Sequence, residues 1–138
     1  VRGRPALYAS GMLSTALVFL GAGIGGVLRH SVNLVSLKWL GASFPYGTMA
    51  INILGSGVMG LVAGFLAFKA GEGWTQHARL FLATGILGGF TTFSAFSLDA
   101  VLLWERGEAM LAAVYVVGSV VLSLAALIAG LALVRGLS

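Results

Sequence analysis

Four stretches of this chain run for more than twenty residues with almost no charge, and Arg, Lys or Glu punctuates the gaps between them. A helix needs about 20 apolar residues to cross the hydrocarbon core of a bilayer. Inside that core each backbone N–H and C=O has to find its partner within the protein. Residues 6–28, 47–68, 79–103 and 109–134 are therefore predicted as transmembrane helices, and residues 1–138 as one all-α transmembrane domain. Composition leaves little choice: 59% of residues are hydrophobic and 9% charged, against about 25% charged in a soluble domain. The net charge of +4 comes from scattered single basic residues in the expected connections. That pattern reads as anchoring in a lipid bilayer, with no nucleic acid as partner. The absence of cysteine excludes disulfides and thiolate metal sites.

Arg2 and Arg4 precede the first apolar run as they would in a signal peptide, but residues 6–28 outrun a typical signal core and three further spans follow. The run is read as the first membrane helix, with Met12 as a candidate natural start. Residues 29–46, with His30, Asn33, Lys38 and Pro45, are expected to form a polar connection, residues 70–77 a short loop and residues 104–108 a tight turn. Trp39, Trp74 and Trp104 fall at the expected membrane edges, where an aromatic belt belongs.

The third span holds an unusual centre, Gly88-Gly89-Phe90-Thr91-Thr92-Phe93-Ser94-Ala95-Phe96-Ser97. Paired glycines followed by β-branched threonines make a poor helix interior, so a break is expected there. Gly85 and Gly89 also form a GxxxG spacing, which by itself implies close helix packing. In the second span Thr48, Asn52, Ser56, Gly60 and Gly64 recur every four residues on one drifting face. Asn52 is the sole amide within the spans, and an unpaired amide in hydrocarbon is costly, so it faces another helix or water. Tyr115, Ser119 and Ser123 repeat the spacing in the fourth span. Serines in membrane helices commonly bond their own backbone at i−4, which leaves interhelical glue and a lined pathway both open.

Arg2, Arg4, Lys69, Arg79 and Arg135 fall on one side of the membrane and Arg29, Lys38 and Arg106 on the other. Counted from Met12 the balance is equal. So weak a bias gives little orienting instruction. It permits insertion both ways, and an antiparallel homodimer would supply in trans the inverted repeat that larger transporters encode in one chain.

The third-span motif resembles the signature of the small fluoride channels called Fluc or CrcB-type proteins. Gly47-Thr48-Met49-Ala50-Ile51-Asn52-Ile53-Leu54-Gly55 resembles their second-helix motif, Gly25-Gly26-Val27-Leu28-Arg29 the end of their first helix, and Glu105-Arg106-Gly107 their last turn. The resemblance spans residues 20–123. It implies a dual-topology homodimer in the cell inner membrane, with two pores that pass fluoride passively and lower its cytoplasmic level. By the same resemblance Phe93, Phe96 and Asn52 line the pore, and Ser119 and Ser123 form a hydroxyl track with Tyr115 nearby. Arg29 stands at the vestibule. A structural sodium ion is held by the backbone carbonyls of Gly88 and Thr91.

The chemistry of the ion suits those residue types. Fluoride is small and tightly hydrated, so hydroxyl and amide donors have to replace its water, and the positive edge of a phenyl ring offers weak attraction. Conduction requires binding strong enough to enter and weak enough to leave. A proton-coupled multidrug exporter, also a small four-helix protein, wants a membrane carboxylate, and residues 6–28 contain none. A non-conducting scaffold would use the glycine faces but leaves Asn52 and the hydroxyl stripes without a role. No nucleophile–base pair or phosphate loop is present, and an enzyme is not expected.

Overall fold

The computed structural model describes residues 4–68 and 72–137, with side chains for 11–67 and 76–137. The expected anchors Arg2 and Lys69 lie outside the described residues, as do the side chains of Arg4 and Trp74. The described chain is helical, with no strand, and runs α1 (Arg4–Leu40), α2 (Tyr46–Phe68), α3 (Glu72–Arg79), a π-helical segment (Leu80–Leu87), α4 (Gly88–Phe90), α5 (Phe93–Glu105) and α6 (Ala109–Gly136). Four stretches among the described residues are long and apolar enough to cross a membrane: Gly11–Leu40, Tyr46–Ala67, Gln76–Glu105 and Ala109–Gly136.

Two boundaries differ from the sequence expectation. Residues 29–40, expected as connection, continue α1 to Leu40, so that this helix of 37 residues is about 55 Å long and overshoots a core about 30 Å thick. Charge does not end a helix. No glycine or proline interrupts residues 29–40, and the helix stops where Gly41 adopts a left-handed φ of 79°. Likewise the expected loop at 70–77 is helical from Glu72.

Packing runs along glycines. α2 makes its most extensive contact with α6, and α1 with the π-helical segment. A Cβ added at Gly21 would lie 2.6 Å from the Phe81 carbonyl oxygen and 2.8 Å from the Cα of Gly85, and one on Gly89 would strike the Ala22 backbone. Gly85 and Gly89 thus serve the packing role that their spacing suggested. Gly88, between them, meets only the Ala83 oxygen at an ordinary 3.5 Å. A π-helical turn is uncommon and concentrates near functional sites. Here it leads straight into the break.

At the opposite end of α5, Gly107 turns the chain with φ of 80°. Arg106 Nη2 donates to the Ser43 carbonyl oxygen at 3.1 Å and lies 3.5 Å from Glu108. This ties the α1–α2 and α5–α6 connections together at one end of the bundle. Trp39 and Trp104 are exposed at that same end.

Candidate functional site

Thr91 and Thr92 leave the helical region, with φ, ψ of −79°, 156° and −151°, 118°. The helix is cut between α4 and α5 in the middle of a membrane-length span. Extended backbone at that depth exposes donors and acceptors that nothing apolar can satisfy. Asn52 of α2 supplies both partners to Thr92: its Oδ1 accepts from the Thr92 N–H at 2.9 Å, and its Nδ2 donates to the Thr92 carbonyl at 3.0 Å. Thr92 in turn caps α5, its Oγ1 accepting from the Ala95 N–H at 3.2 Å. The Thr91 side chain reaches over Gly55, where a Cβ would collide with its methyl group.

This arrangement strips two carbonyls of their helical donors. In a continuous helix the Thr92 N–H would serve the Gly88 carbonyl and the Ala95 N–H that of Thr91. Here they serve Asn52 Oδ1 and Thr92 Oγ1. Gly88 and Thr91 are the carbonyls that the resemblance assigns to sodium. Neutral oxygen donors of this kind suit a hard cation, so the residues present fit such an ion.

Beside the break lies a cavity of about 310 Å³ lined by Asn52, Ser56, Phe93, Phe96, Ser119 and Ser123, with Met59, Val120 and Leu127 as apolar wall. None of the described residues lining it is charged. Five of the predicted pore residues therefore share one space. The rings of Phe93 and Phe96 sit 5.6 Å apart at 44°. Phe93 is 79% exposed at the edge of the cavity.

The serines in this cavity behave unlike their counterparts elsewhere. Thr15, Ser31, Thr91 and Ser97 each donate to the carbonyl four residues back, the ordinary habit of a hydroxyl in a helix. The hydroxyl oxygens of Ser119 and Ser123 are buried and have no hydrogen-bond partner. A buried unpaired hydroxyl costs about 1–3 kcal/mol. Two in succession, one helical turn apart, leave donor and acceptor capacity that the described residues do not use.

Tyr115 is placed differently from the serines below it. It is fully buried, and its hydroxyl donates to Asp99 Oδ2 at 3.2 Å. Its ring stacks obliquely on Phe96 at 5.2 Å and edge-on to Phe44 at 5.6 Å. Tyr115 thus backs the Phe96 ring from behind the cavity. Asp99 is its anchor. Asp99 and Tyr115 stand eight residues either side of Gly107, so a hairpin folded at that glycine brings them opposite. That symmetry, and the presence of a carboxylate inside a predicted span, were the available signals.

Arg29 lines a separate cavity of about 490 Å³ with Gly26, His30, Asn33, Thr92 and Ser94. Thr92 borders both this space and the serine-lined cavity. The break residue is the partition between them.

Known proteins match along nearly the whole chain. The family model described as "CrcB-like protein, Camphor Resistance (CrcB)" matches residues 16–131. A "Fluoride-specific ion channel FluC" of Rhodopseudomonas palustris (strain BisB5) is 62% identical over 122 residues, covering 88% of this chain and 97% of the relative. Another of that name from Granulibacter bethesdensis is 59% identical over 126 residues, 91% of this chain and 98% of the relative. A "Fluoride-specific ion channel FluC 2" of Nitrobacter hamburgensis is 57% identical over 122 residues, 88% and 97% of the two chains.

Proposed function

The chain belongs to the CrcB-like family, and from that premise we propose that it is a fluoride-specific ion channel. It is a multi-pass protein of the cell inner membrane that passes fluoride passively and keeps its cytoplasmic level low. It is a channel and not an enzyme. The observation that carries the reading is the pair of buried hydroxyls, unpartnered within the protein, on Ser119 and Ser123, two residues that line the same cavity as Phe93, Phe96 and Asn52.

A fluoride ion in that cavity accepts hydrogen bonds from both serines in sequence and from the second N–H of the Asn52 amide, whose first is engaged by Thr92. The ring edges of Phe93 and Phe96 add attraction without a full charge. Neutral donors hold the ion loosely enough for release. Tyr115, anchored on Asp99, keeps the Phe96 ring in place.

The working unit in this reading is an antiparallel homodimer with two pores. Supporting it are the near balance of basic residues across the membrane and the exposure of Phe93 at the cavity edge, where a second copy would close the wall. A structural sodium ion at the dimer centre would be held by the Gly88 and Thr91 carbonyls of both copies, balancing the dipoles that the break turns inward. The test of the function is ion efflux from liposomes holding the purified protein. Fluoride is expected to leave rapidly and chloride at the rate of empty vesicles. Equal release of both ions, or of neither, refutes the reading.

A further inference from the structure

Ser56 of α2 lines the same cavity as Asn52, Ser119 and Ser123, and its side chain makes no hydrogen bond among the described residues. Its place along the cavity follows from the way α2 and α6 run together. A Cβ on Gly57 would lie 3.7 Å from the Ala126 Cβ, one on Gly64 3.0 Å from the Val134 Cβ, and one on Gly118 3.1 Å from the Met49 Cε. The two helices are therefore parallel, with residues 49, 57 and 64 of α2 level with residues 118, 126 and 134 of α6. In that register the polar residues follow in the order Ser119, Asn52, Ser123, Ser56. They alternate between the helices, each about two residues beyond the last, a step of about 3 Å.

Beyond Ser56 the polar lining stops. The wall at that end is Met59 and Leu127, and the next residue on that face of α2 is Gly60, packed so closely on the Leu127 carbonyl that a Cβ would collide with it. Resting on the fluoride-channel reading, we infer that Ser56 is a further contact for the ion, the end rung of a ladder of neutral donors shared between α2 and α6. A hydrogen bond from a hydroxyl or an amide spans about 3 Å, so an ion midway between rungs about 3 Å apart along the axis reaches both. Hydroxyls on one face of a single helix recur every four residues, about 6 Å apart, and an ion midway between those loses both. Alternation between two helices removes that gap. Without the Ser56 hydroxyl an ion past Ser123 has only Met59 and Leu127 beside it.

The experiment measures fluoride efflux from liposomes for the parent protein and for Ser56→Ala, Ser56→Thr and Ser56→Val, with the gel-filtration profile after heating as the check on the fold. Ser56→Ala is expected to slow efflux about ten-fold and to keep the parent profile, because the hydroxyl braces nothing in the protein. Thr and Val share a shape and differ in the hydroxyl. Ser56→Thr is therefore expected to conduct near the parent rate and Ser56→Val as slowly as Ser56→Ala. Parent-rate efflux in Ser56→Ala, or equal efflux from the Thr and Val variants, overturns the proposal while leaving the channel reading in place. A fall in Ser56→Ala matched by an earlier loss of the folded peak makes the residue a packing element and overturns it as well. A parent protein that releases no fluoride overturns both.

Discussion

Replacing Ser119 by Ala separates a conducting hydroxyl from a structural one. The Ser119 side chain is 3% exposed, and its oxygen has no partner in the protein. A hydroxyl that braced the fold would take about 0.5–1.5 kcal/mol of stability with it when removed. An unpaired buried hydroxyl does the reverse, since its desolvation cost of about 1–3 kcal/mol disappears with the oxygen. Ser119→Ala is therefore expected to leave resistance to heating unchanged or raised by about 1 kcal/mol, read as the fraction of protein that stays monodisperse on gel filtration. Flux is expected to move the other way. A hydrogen bond to a charged partner contributes about 1.5–3 kcal/mol, so losing it at the limiting position slows fluoride efflux about 10- to 100-fold. Ser123→Ala should act alike, and the double variant by less than the product, because one ion passing between neighbouring hydroxyls uses each in turn. A Ser119→Ala protein that melts earlier yet conducts at the parent rate would refute the reasoning.

Asn52→Ala leaves the Thr92 N–H and carbonyl without their partner, at about 1–3 kcal/mol each. It is expected to lower thermal stability as well as flux, unlike the serine variants, and a loss of flux alone on a parent-like melting curve would speak against the clamp. Phe93→Ile and Phe96→Ile keep apolar bulk, a change that costs under about 1.5 kcal/mol when only packing is at stake. Efflux should fall sharply while the gel-filtration profile stays that of the parent, and parent-level flux in both would remove the rings from the pathway. Exhaustive sodium removal during purification is expected to abolish flux in a way that sodium but not potassium restores; full activity in its absence would exclude a required ion at Gly88 and Thr91. A single cysteine in place of Glu108, exposed in the α5–α6 turn, should label from both faces of the membrane, and labelling from one face alone would exclude dual topology.

The spans were legible because hydrocarbon imposes a length and a composition that nothing else mimics, and the break was legible because Gly88-Gly89 followed by Thr91-Thr92 opposes a helix at every position. The end of α1 was misread because the polarity of Arg29, His30 and Asn33 was used as a boundary, when Gly41 is what stops the helix. The π-helical turns left no mark in residues 80–87, since they depend on how Gly21 and Gly85 meet across two helices. The cavity was half visible. Spacing put Ser119 below Tyr115 on one stripe, but it could not show that Tyr115 turns its hydroxyl to Asp99 while those of the serines stay unpartnered.

Asn52 shows why one polar residue in a span carried two readings and why the structure joins them. Its side chain offers one carbonyl and two N–H groups. Thr92 takes the carbonyl and one N–H, which fixes the plane of the amide and hence the direction of the remaining hydrogen. Asp in its place would set a second acceptor against the Thr92 carbonyl, and Leu would leave both backbone groups unsatisfied. The first of these bonds also diverts the Thr92 N–H from the Gly88 carbonyl that it would serve in a continuous helix. Holding the break open, fixing the plane of the amide and leaving the Gly88 carbonyl without that helical donor are then one geometric fact. It follows that no substitution at Asn52 can disturb the pathway while sparing the break. The hydroxyls of Ser119 and Ser123 satisfy no group of the protein, and so their removal tests the cavity without touching the bonds that hold the break.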